Sequence, residues 1–365
     1  MTPALLVVLL LGCEKKFDIT TLPSADLTYS SSDTSYVKKA VWSGIFNRPR
    51  TVMVGDDQLV YVADTYNNRI IMLNQAGLVL SFSNFVLHPI ALAQDSRKDL
   101  LVGAETIEPT TGDTIGVILR FGLVQAAFHL NAAPIDTIWK EPARPRRRFV
   151  GIGIILNNEY LVARDGPDNS SVVDPDARVM RFRYRPDAAT RKDSFLTSLG
   201  ELQSGAGNAV TFINHPTGLA TFSGSGDFVL TQSASGVSYS AIWMFYTKNT
   251  DFDGWAPKFD PTNPSQSNID FISPSRFRNA VGVGIDRIKR DIFIIDDVDG
   301  LRDSVVKFNS RGFFKQESFG TLSAGATLKN PGGAAVYGAA ADIYTLFICD
   351  TDNNRIVLYR LSSSF

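Results

Sequence analysis

Two stretches near opposite ends of the chain, VYVADTYNNRIIMLN at residues 60–74 and LFICDTDNNRIVLYR at residues 346–360, share most of their letters. Each has an apolar run, then Asp-Thr, one variable residue and Asn-Asn-Arg-Ile, and then a second apolar run. Short apolar runs separated by a polar turn are typical of neighbouring β-strands. The duplication therefore predicts a chain built from repeated β-hairpin units.

Four weaker copies of this unit lie between the two strong ones. Their first runs are DLLVGAE (99–105), EYLVARD (159–165), DFVLTQS (227–233) and DIFIIDD (291–297). Their second runs are GVILRF (116–121), RVMRFRY (178–184), AIWMFY (241–246) and SVVKFN (304–309). We interpret the longer spacings of the middle repeats as insertions at 106–115, 166–177, 185–214 and 247–276.

A third short run precedes each pair and alternates small residues with larger ones. The copies are HPIALA (88–93), RFVGIG (148–153), HPTGLA (215–220), FRNAVGVG (277–284) and NPGGAA (330–335). Side chains two residues apart point to the same side of a strand, so the small residues mark a crowded face. Such crowding is expected where strands converge on the axis of a ring; NRPRTVM (47–53) is the exception, with larger residues.

Short β-rich runs repeated every ~40 to 65 residues predict an all-β fold, a six-bladed β-propeller of four-stranded antiparallel blades. The last copy ends without a fourth strand, whereas SYVKKAVWSGIF (35–46) has strand character and precedes the first blade. We predict that this N-terminal strand completes the last blade and closes the ring, since an unpaired edge strand is prone to aggregation. The propeller is expected to span residues 35–365.

With Asp-Thr, Asn-Asn-Arg-Ile and a preceding strand that contains Pro, the chain resembles the NHL repeats of six-bladed propellers. The resemblance is strong in the first and sixth units and weak in the four between them. Across each turn the Asp carboxylate and the Arg guanidinium should form a charge-assisted bond, and Asn suits the left-handed turn. The residues with this structural role are Asp64, Asn68, Arg69, Asp350, Asn354 and Arg355.

Metal and cofactor sites are not predicted. Asp350-x-Asp352-x-Asn354 has the spacing of the first ligands in a calcium loop, but no Glu occupies the twelfth position and Arg355 would place a cation beside the ion. Three histidines are few for a zinc centre, and no phosphate loop or GxSxG serine motif is present. We therefore assign no catalytic residue, no metal ligand and no cofactor. Gluconolactonase-like calcium-dependent hydrolases and the zinc lyase of peptide amidation have similar propellers, so an enzyme of either kind is the alternative.

The first residues, MTPALLVVLLLGC, contain an apolar run that is too short to span a bilayer and is typical of a secretory signal. Leu10-Leu11-Gly12-Cys13 resembles the lipobox of bacterial lipoproteins. The resemblance implies a signal peptide at 1–12, a lipid on Cys13 and a flexible tether within 13–34. Glu14, rather than Asp, implies the outer membrane of the cell envelope more than the inner membrane. Only Cys349 would then remain, which excludes a disulfide framework.

The 36 basic and 37 acidic side chains nearly balance, so we expect no nucleic-acid partner. Propellers commonly bind ligands at the mouth of the central channel, where the strands nearest the axis begin. The candidate binding residues at this rim are Arg48, His88, Arg148, His215 and Arg278, the third of them within the basic run ARPRRRF (143–149). The sequence predicts a lipid-anchored scaffold outside the cytoplasm that binds a protein, peptide or glycan ligand.

Overall fold

The computed structural model of the protein describes residues 34–185, 192–300, 302–338 and 344–364. The predicted signal segment, Cys13 and the tether up to residue 33 lie outside these residues. The described chain forms six four-stranded antiparallel sheets and one two-stranded parallel pair. The six sheets are the blades of one ring, which confirms the all-β propeller predicted from the sequence.

Strand β1 is Tyr36–Ser43, and the other strands follow it in chain order. Blade 1 contains β2 (Pro49–Val54), β3 (Val60–Asp64), β4 (Arg69–Leu73) and β5 (Val79–Phe82). Blade 2 contains β6 (Ala91–Gln94), β7 (Leu100–Ile107), β8 (Thr114–Phe121) and β9 (Ile135–Lys140). Blade 3 contains β10 (Arg148–Ile154), β11 (Glu159–Asp165), β12 (Arg178–Arg183) and β13 (Ser194–Ser198). The parallel pair is β14 (Gln203–Ser204) and β15 (Phe212–Ile213). Blade 4 contains β16 (Pro216–Thr221), β17 (Phe228–Gln232), β18 (Ala241–Lys248) and β19 (Asp253–Pro257). Blade 5 contains β20 (Ala280–Ile285), β21 (Ile292–Asp296), β22 (Ser304–Phe308) and β23 (Phe319–Gly320). Blade 6 contains β24 (Pro331–Gly338), β25 (Tyr344–Asp350), β26 (Arg355–Leu361) and β1.

Helical structure in the described residues is confined to single turns of 3-10 helix. These turns are Thr65–Asn67, Leu130–Ala132, Leu156–Asn158, Pro264–Gln266, Asp270–Ile272, Thr351–Asn353 and Ser362–Ser364. None of them is a helix long and apolar enough to cross a membrane.

The middle strands of the blades are buried along their whole length, as β3 and β25 show. Each blade is covered on both faces by its neighbours, so these strands need apolar side chains at successive positions rather than at alternate ones. The apolar core is accordingly divided into six clusters, one between each pair of adjacent blades. Cys349 lies in the cluster between blades 6 and 1, where burial raises the pKa of its thiol.

The two ends of the chain meet in blade 6. Strand β1 pairs with β26 in antiparallel register, from Tyr36 opposite Leu361 to Ser43 opposite Arg355. The order of strands in this blade, from the outside to the axis, is β1, β26, β25 and β24. The N-terminal strand therefore closes the ring, as the sequence predicts.

The crowded face is present where the strands nearest the axis pass one another. A Cβ atom added to Gly151 would lie 2.8 Å from the Cβ atom of Leu219 in blade 4. One added to Gly282 would lie 2.4 Å from the carbonyl oxygen of Gly332 in blade 6. Both distances are too short for a real Cβ, so only glycine allows the neighbouring strands to approach this closely.

The segments interpreted as insertions in the middle repeats contain regular structure. Segment 185–214 includes β13, the outermost strand of blade 3, and segment 247–276 includes β19, the outermost strand of blade 4. Residues 106–115 extend the hairpin of β7 and β8, with Ile107 opposite Thr114. These segments are therefore partly components of the blades rather than additions to them.

Closure of the ring predicts a strong dependence of stability on β1. A protein that starts at Gly44 lacks this strand and exposes the edge of β26 together with the apolar cluster that contains Tyr36. We expect it to lose the cooperative thermal transition seen in a protein that starts at Thr34. Coincident melting curves, followed by circular dichroism, would show that the ring does not need this strand.

Candidate binding site at the mouth of the channel

The Asp of the first repeated motif organises its own turn. The buried Asp64 carboxylate accepts hydrogen bonds from the backbone N–H of Asn47 at 2.6 Å, from Asn67 Nδ2 at 2.8 Å and from Arg69 Nε at 2.9 Å. One carboxylate therefore links the loop that enters β2 to the turn between β3 and β4. The bond between Asp64 and Arg69 is the one expected from their spacing.

The sixth blade repeats this arrangement. The buried Asp350 carboxylate accepts from the backbone N–H of Lys329 at 2.7 Å, from Asn353 Nδ2 at 3.0 Å and from Arg355 Nε at 2.6 Å. Donors of the protein itself occupy the oxygens that a cation would need. Blades 4 and 5 keep the contact to the entering loop, with Gln232 and Asp296 as the acceptors.

The other residues shared by the two copies of the motif join one blade to the next. The Thr65 hydroxyl donates to the carbonyl oxygen of Pro89 in blade 2 at 2.7 Å, and Thr351 donates to Pro49 in blade 1 at 2.7 Å. Asn68, with a left-handed φ of 52°, accepts from the backbone N–H of His88 at 3.0 Å. The motif therefore holds neighbouring blades together, a role that the local analysis of the sequence missed.

The second Asn of the sixth blade makes the equivalent bond. Asn354 has a φ of 54° and accepts from the backbone N–H of Arg48 at 2.8 Å. The two strong copies of the motif thus hold blade 1 on both of its sides, one from blade 6 and one towards blade 2.

Two of the candidate rim residues share one carboxylate. His88 Nδ1 lies 2.8 Å from Glu105 Oε2, and the Arg148 Nε donates to Glu105 Oε1. Arg148 also donates to the carbonyl oxygen of Pro145 at 2.6 Å. The Glu105 carboxylate therefore binds the side chains of both His88 and Arg148, and through Arg148 it joins blade 2 to blade 3.

The remaining candidates differ in their freedom to bind a ligand. Arg48 forms an ion pair with Asp352 at 2.9 Å, and His215 Nδ1 lies 3.3 Å from Asp165 Oδ1. Arg278 is exposed, and its side chain forms no ion pair with any residue that the structure describes. All five candidates lie at the predicted end of the ring, but four of them already have acidic partners.

The basic run ARPRRRF is less available than its charge suggests. Arg147 is buried and forms ion pairs with Glu141 at 2.9 Å, Asp174 at 2.8 Å and Asp176 at 2.7 Å. The buried Arg164 pairs with the first two of these carboxylates. Part of the run is therefore an internal ion-pair network that holds segment 166–177 against blade 3, and it is not a free basic surface.

A channel of about 620 Å³ runs along the axis and is lined by the first strand of every blade. At the end where these strands begin, each blade contributes one residue from the start of its first strand or, in blade 2, from the position just before it. These six residues, which we call the channel ring, are Arg50, Ile90, Val150, Thr217, Val281 and Gly332. Five of them are uncharged and one is a cation.

A β-bulge lies at this position in five of the six blades, all except blade 2. In blade 1, Pro49 pairs with Asp64 and Thr51 pairs with Ala63, so Arg50 has no partner in the ladder. The same shift leaves out Val150, Thr217 and Val281 in blades 3 to 5, and in blade 6 it leaves out both Gly332 and Gly333. A bulge directs a side chain away from the sheet face that it would otherwise occupy, and here it forms the channel ring.

Arg50 is the residue of this ring that sequence reasoning missed. It is exposed to the channel and forms no ion pair or side-chain hydrogen bond with the residues described by the structure. The surrounding protein removes water from the guanidinium and lowers the pKa of Arg50 below its ordinary value, although an arginine stays charged at neutral pH. The signal was present in NRPRTVM, where Arg stands at a position that holds Ile, Val, Thr or Gly in the other repeats.

The opposite end of the channel offers no such free charge among its lining residues. Arg287 pairs with Asp56 and donates to the carbonyl oxygen of Val54 at 2.9 Å. Gln94 accepts from the backbone N–H of Asp56 at 2.8 Å and donates to Asp57 at 2.7 Å. The polar groups at this end bind one another.

The channel wall does not fit a calcium or zinc ion. Its carboxylates, Asp56 and Asp165, lie at opposite ends, one paired with Arg287 and the other facing His215. Calcium needs six to eight converging oxygens, and zinc needs at least three protein ligands. No group of three or more His, Cys, Asp or Glu that could hold a metal lies within the described parts of the chain.

Comparison with known proteins agrees with this architecture. Residues 46–71 match the model of the NHL repeat, and no curated protein shows significant sequence similarity to the chain. A gluconolactonase from Xanthomonas campestris has a similar structure, with 13% identity, a TM-score of 0.53 and coverage of 90% of each chain. Regucalcin, a calcium-binding protein from Agrobacterium tumefaciens, has 10% identity and a TM-score of 0.53, covering 90% of this chain and 95% of that chain.

A protein of unknown function from Bacteroides thetaiotaomicron is also similar, with 12% identity and a TM-score of 0.54 over 90% of this chain and 77% of its own. At such identities the similarity shows the fold alone. The function must be argued from the residues of this channel.

The bonds between blades predict the effect of removing one hydroxyl. Thr351→Val keeps the shape of the side chain but leaves the buried carbonyl oxygen of Pro49 without its 2.7 Å donor. We expect the free energy of unfolding to fall by about 1–2 kcal/mol, measured by urea denaturation. Thr65→Val should have a similar effect, and the exposed Thr110→Val should have none. An unchanged midpoint and slope for Thr351→Val would show that this bond does not stabilise the ring.

Proposed function

We propose that the protein is a lipid-anchored binding protein of the bacterial cell envelope that holds a small ligand in its central channel. The channel ring carries this proposal, because it presents aliphatic side chains and one free cation to solvent at a single mouth. A channel of this size lies within the range of cavities that hold small molecules. Mouths of this kind combine apolar contact area with a few groups that orient the ligand.

The chemistry of the wall supports binding rather than turnover. Ile90, Val150 and Val281 can contact an apolar ligand but cannot transfer protons or activate water. The carboxylates of the wall are held by Arg287 and His215. The enzymatic alternative, a calcium-dependent hydrolase or a zinc lyase, has no ligand set in the described residues, and the similarity to gluconolactonase extends to the fold only.

The position of the proposed anchor leaves the mouth open. Strand β1 lies at the circumference, and Tyr36 pairs with Leu361 at the end of the ring opposite Arg50. About 20 residues separate Cys13 from this strand, and at ~3.5 Å per residue they could reach at most about 70 Å. Lipid on Cys13 would attach the ring at the end opposite the mouth, and a tether of this length would leave the mouth accessible to a ligand.

Occupation of the channel can be tested by narrowing the channel ring. In Val150→Phe the phenyl group would fill space at the mouth. We therefore expect the variant to bind octan-1-ol, a neutral aliphatic probe, at least about tenfold more weakly than the parent protein. Isothermal titration calorimetry measures the affinity. Val172→Phe is the matched control, because Val172 is 95% exposed and lies in a loop outside the channel. Equal affinities in the two variants would place the probe elsewhere.

Attachment to the membrane can be tested separately at Cys13. When the full chain is expressed in bacteria, Cys13→Ser removes the only thiol available for lipid at the predicted lipobox. We expect the protein to move from the membrane pellet to the soluble fraction, whereas the neighbouring Glu14→Gln should leave it in the pellet. Fractionation followed by immunoblotting gives the distribution. A Cys13→Ser protein that stays with the membrane would contradict the anchor.

A further inference from the structure

We infer that the ligand of this channel is an amphipathic anion, whose negative group binds Arg50 and whose aliphatic part lies against the uncharged residues of the channel ring. The inference rests on the proposed function and specifies the chemical class of the ligand. It depends on three observations: the free guanidinium, the position of this residue in the ladder, and the composition of the wall.

Arg50 differs from the other cations near the axis in lacking a partner. Arg48 pairs with Asp352, Arg148 pairs with Glu105, and Arg287 pairs with Asp56. Asp352 is the acidic group whose field reaches Arg50, but its carboxylate is 2.9 Å from Arg48. The partner that Arg50 would otherwise use is therefore already engaged.

A cation in such surroundings is stabilised by an incoming anion. Arg50 is exposed to the channel, but the channel wall removes part of the water around its guanidinium and lowers its pKa, and an opposite charge offsets the cost of that lost water. The planar guanidinium offers paired N–H donors that match the two oxygens of a carboxylate, or two oxygens of a phosphate or sulfate. A bound anion is therefore expected to form stronger bonds at Arg50, inside the channel, than at Arg278, which lies outside the channel wall.

The bulge makes this side chain available without weakening the blade. The backbone on either side of Arg50 is fixed, because Pro49 and Thr51 pair with β3 and the Thr51 hydroxyl donates to the carbonyl oxygen of Ile90 at 2.6 Å. Arg50 itself has no residue opposite it in the ladder. The cation is thus presented from a rigid segment, which reduces the entropy lost when a ligand binds.

The rest of the wall indicates an aliphatic body for the ligand. Ile90, Val150 and Val281 stand beside Arg50 in the channel ring, and Leu92 and Ile152 line the channel further in. No Phe, Tyr or Trp from the described residues lines it, so the flat faces on which sugar or base rings stack are lacking. This composition favours a chain-like anion over a glycan or a nucleotide.

The test compares three probes with the same eight-carbon chain: octanoate, octan-1-ol and octylammonium. Isothermal titration calorimetry of the parent protein should show octanoate binding about tenfold or more tightly than octan-1-ol, since a hydrogen bond to a charged group adds that much. Octylammonium should bind most weakly of the three. In Arg50→Met, which keeps an unbranched apolar side chain, octanoate and octan-1-ol should bind with similar affinity.

Two further variants separate the effect of this residue from general charge. Arg278→Met removes a free arginine at the same end of the ring but outside the channel wall, and it should keep the preference for octanoate. Arg50→Lys keeps the charge without the paired donors and should retain part of the preference. Because Arg50 has no partner among the described residues, Arg50→Met should melt at or above the temperature of the parent protein, which shows that it is folded.

The outcomes distinguish this inference from the proposed function. If octanoate binds Arg50→Met as tightly as it binds the parent protein, the anion inference is wrong. Binding that is still lost in Val150→Phe would then leave the channel as the binding site. If none of the three probes binds the parent protein, both the inference and the proposed function fail.

Discussion

Closure of the ring is the constraint on which the rest of the structure depends. Every blade is apolar on both faces, so each of the six clusters has its second wall only when the neighbouring blade is in place. Blade 6 contains strands from both ends of the chain. Its outermost strand, β1, contributes side chains to the two clusters that flank blade 6. Thr351 and Asn354 then hold blade 6 to blade 1 through backbone groups of the loop that enters β2. The same contacts help to position the mouth of the channel, because that loop leads directly to Arg50.

The sequence predicted the framework well because the framework is repetitive. Buried middle strands need unbroken apolar runs, and the axis needs small residues, so both features appear as repeated letters in the chain. The outermost strands were harder to predict. β13 and β19 are partly exposed, and their sequences contain no repeated motif. Both strands were therefore included in segments interpreted as insertions. A partly exposed strand with a neighbour at only one edge needs fewer apolar side chains than a strand that is buried on both faces, so its residues form a weaker pattern.

The candidate site was harder to predict than the framework, because the sequence does not show which charged side chains form ion pairs. The sequence predicted that Arg48, His88, Arg148, His215 and Arg278 lie at the end of the ring where the strands nearest the axis begin, but it could not show which of them had partners. Arg147 pairs with Asp176, which lies 29 residues further along the chain, and Arg148 pairs with Glu105 on another blade. Arg50 lies within β2, whereas the residues predicted from the sequence lie where the loops enter the strands. Comparison of the six equivalent positions would have shown it as the one charged member.

The repeated bulge has a consequence for how such a propeller can change. Ladder pairing, small residues at the axis and bonds between blades all restrict the positions around it, but the bulged position has no residue opposite it in the ladder. Replacement there alters the chemistry of the mouth while the supporting strands keep their partners. The positions of Arg50, Val150 and Val281 can therefore vary one at a time, whereas a Cβ atom added to Gly332 would lie 2.5 Å from the carbonyl oxygen of Arg50. Chains with the same framework could then bind ligands of the opposite charge or uncharged ligands.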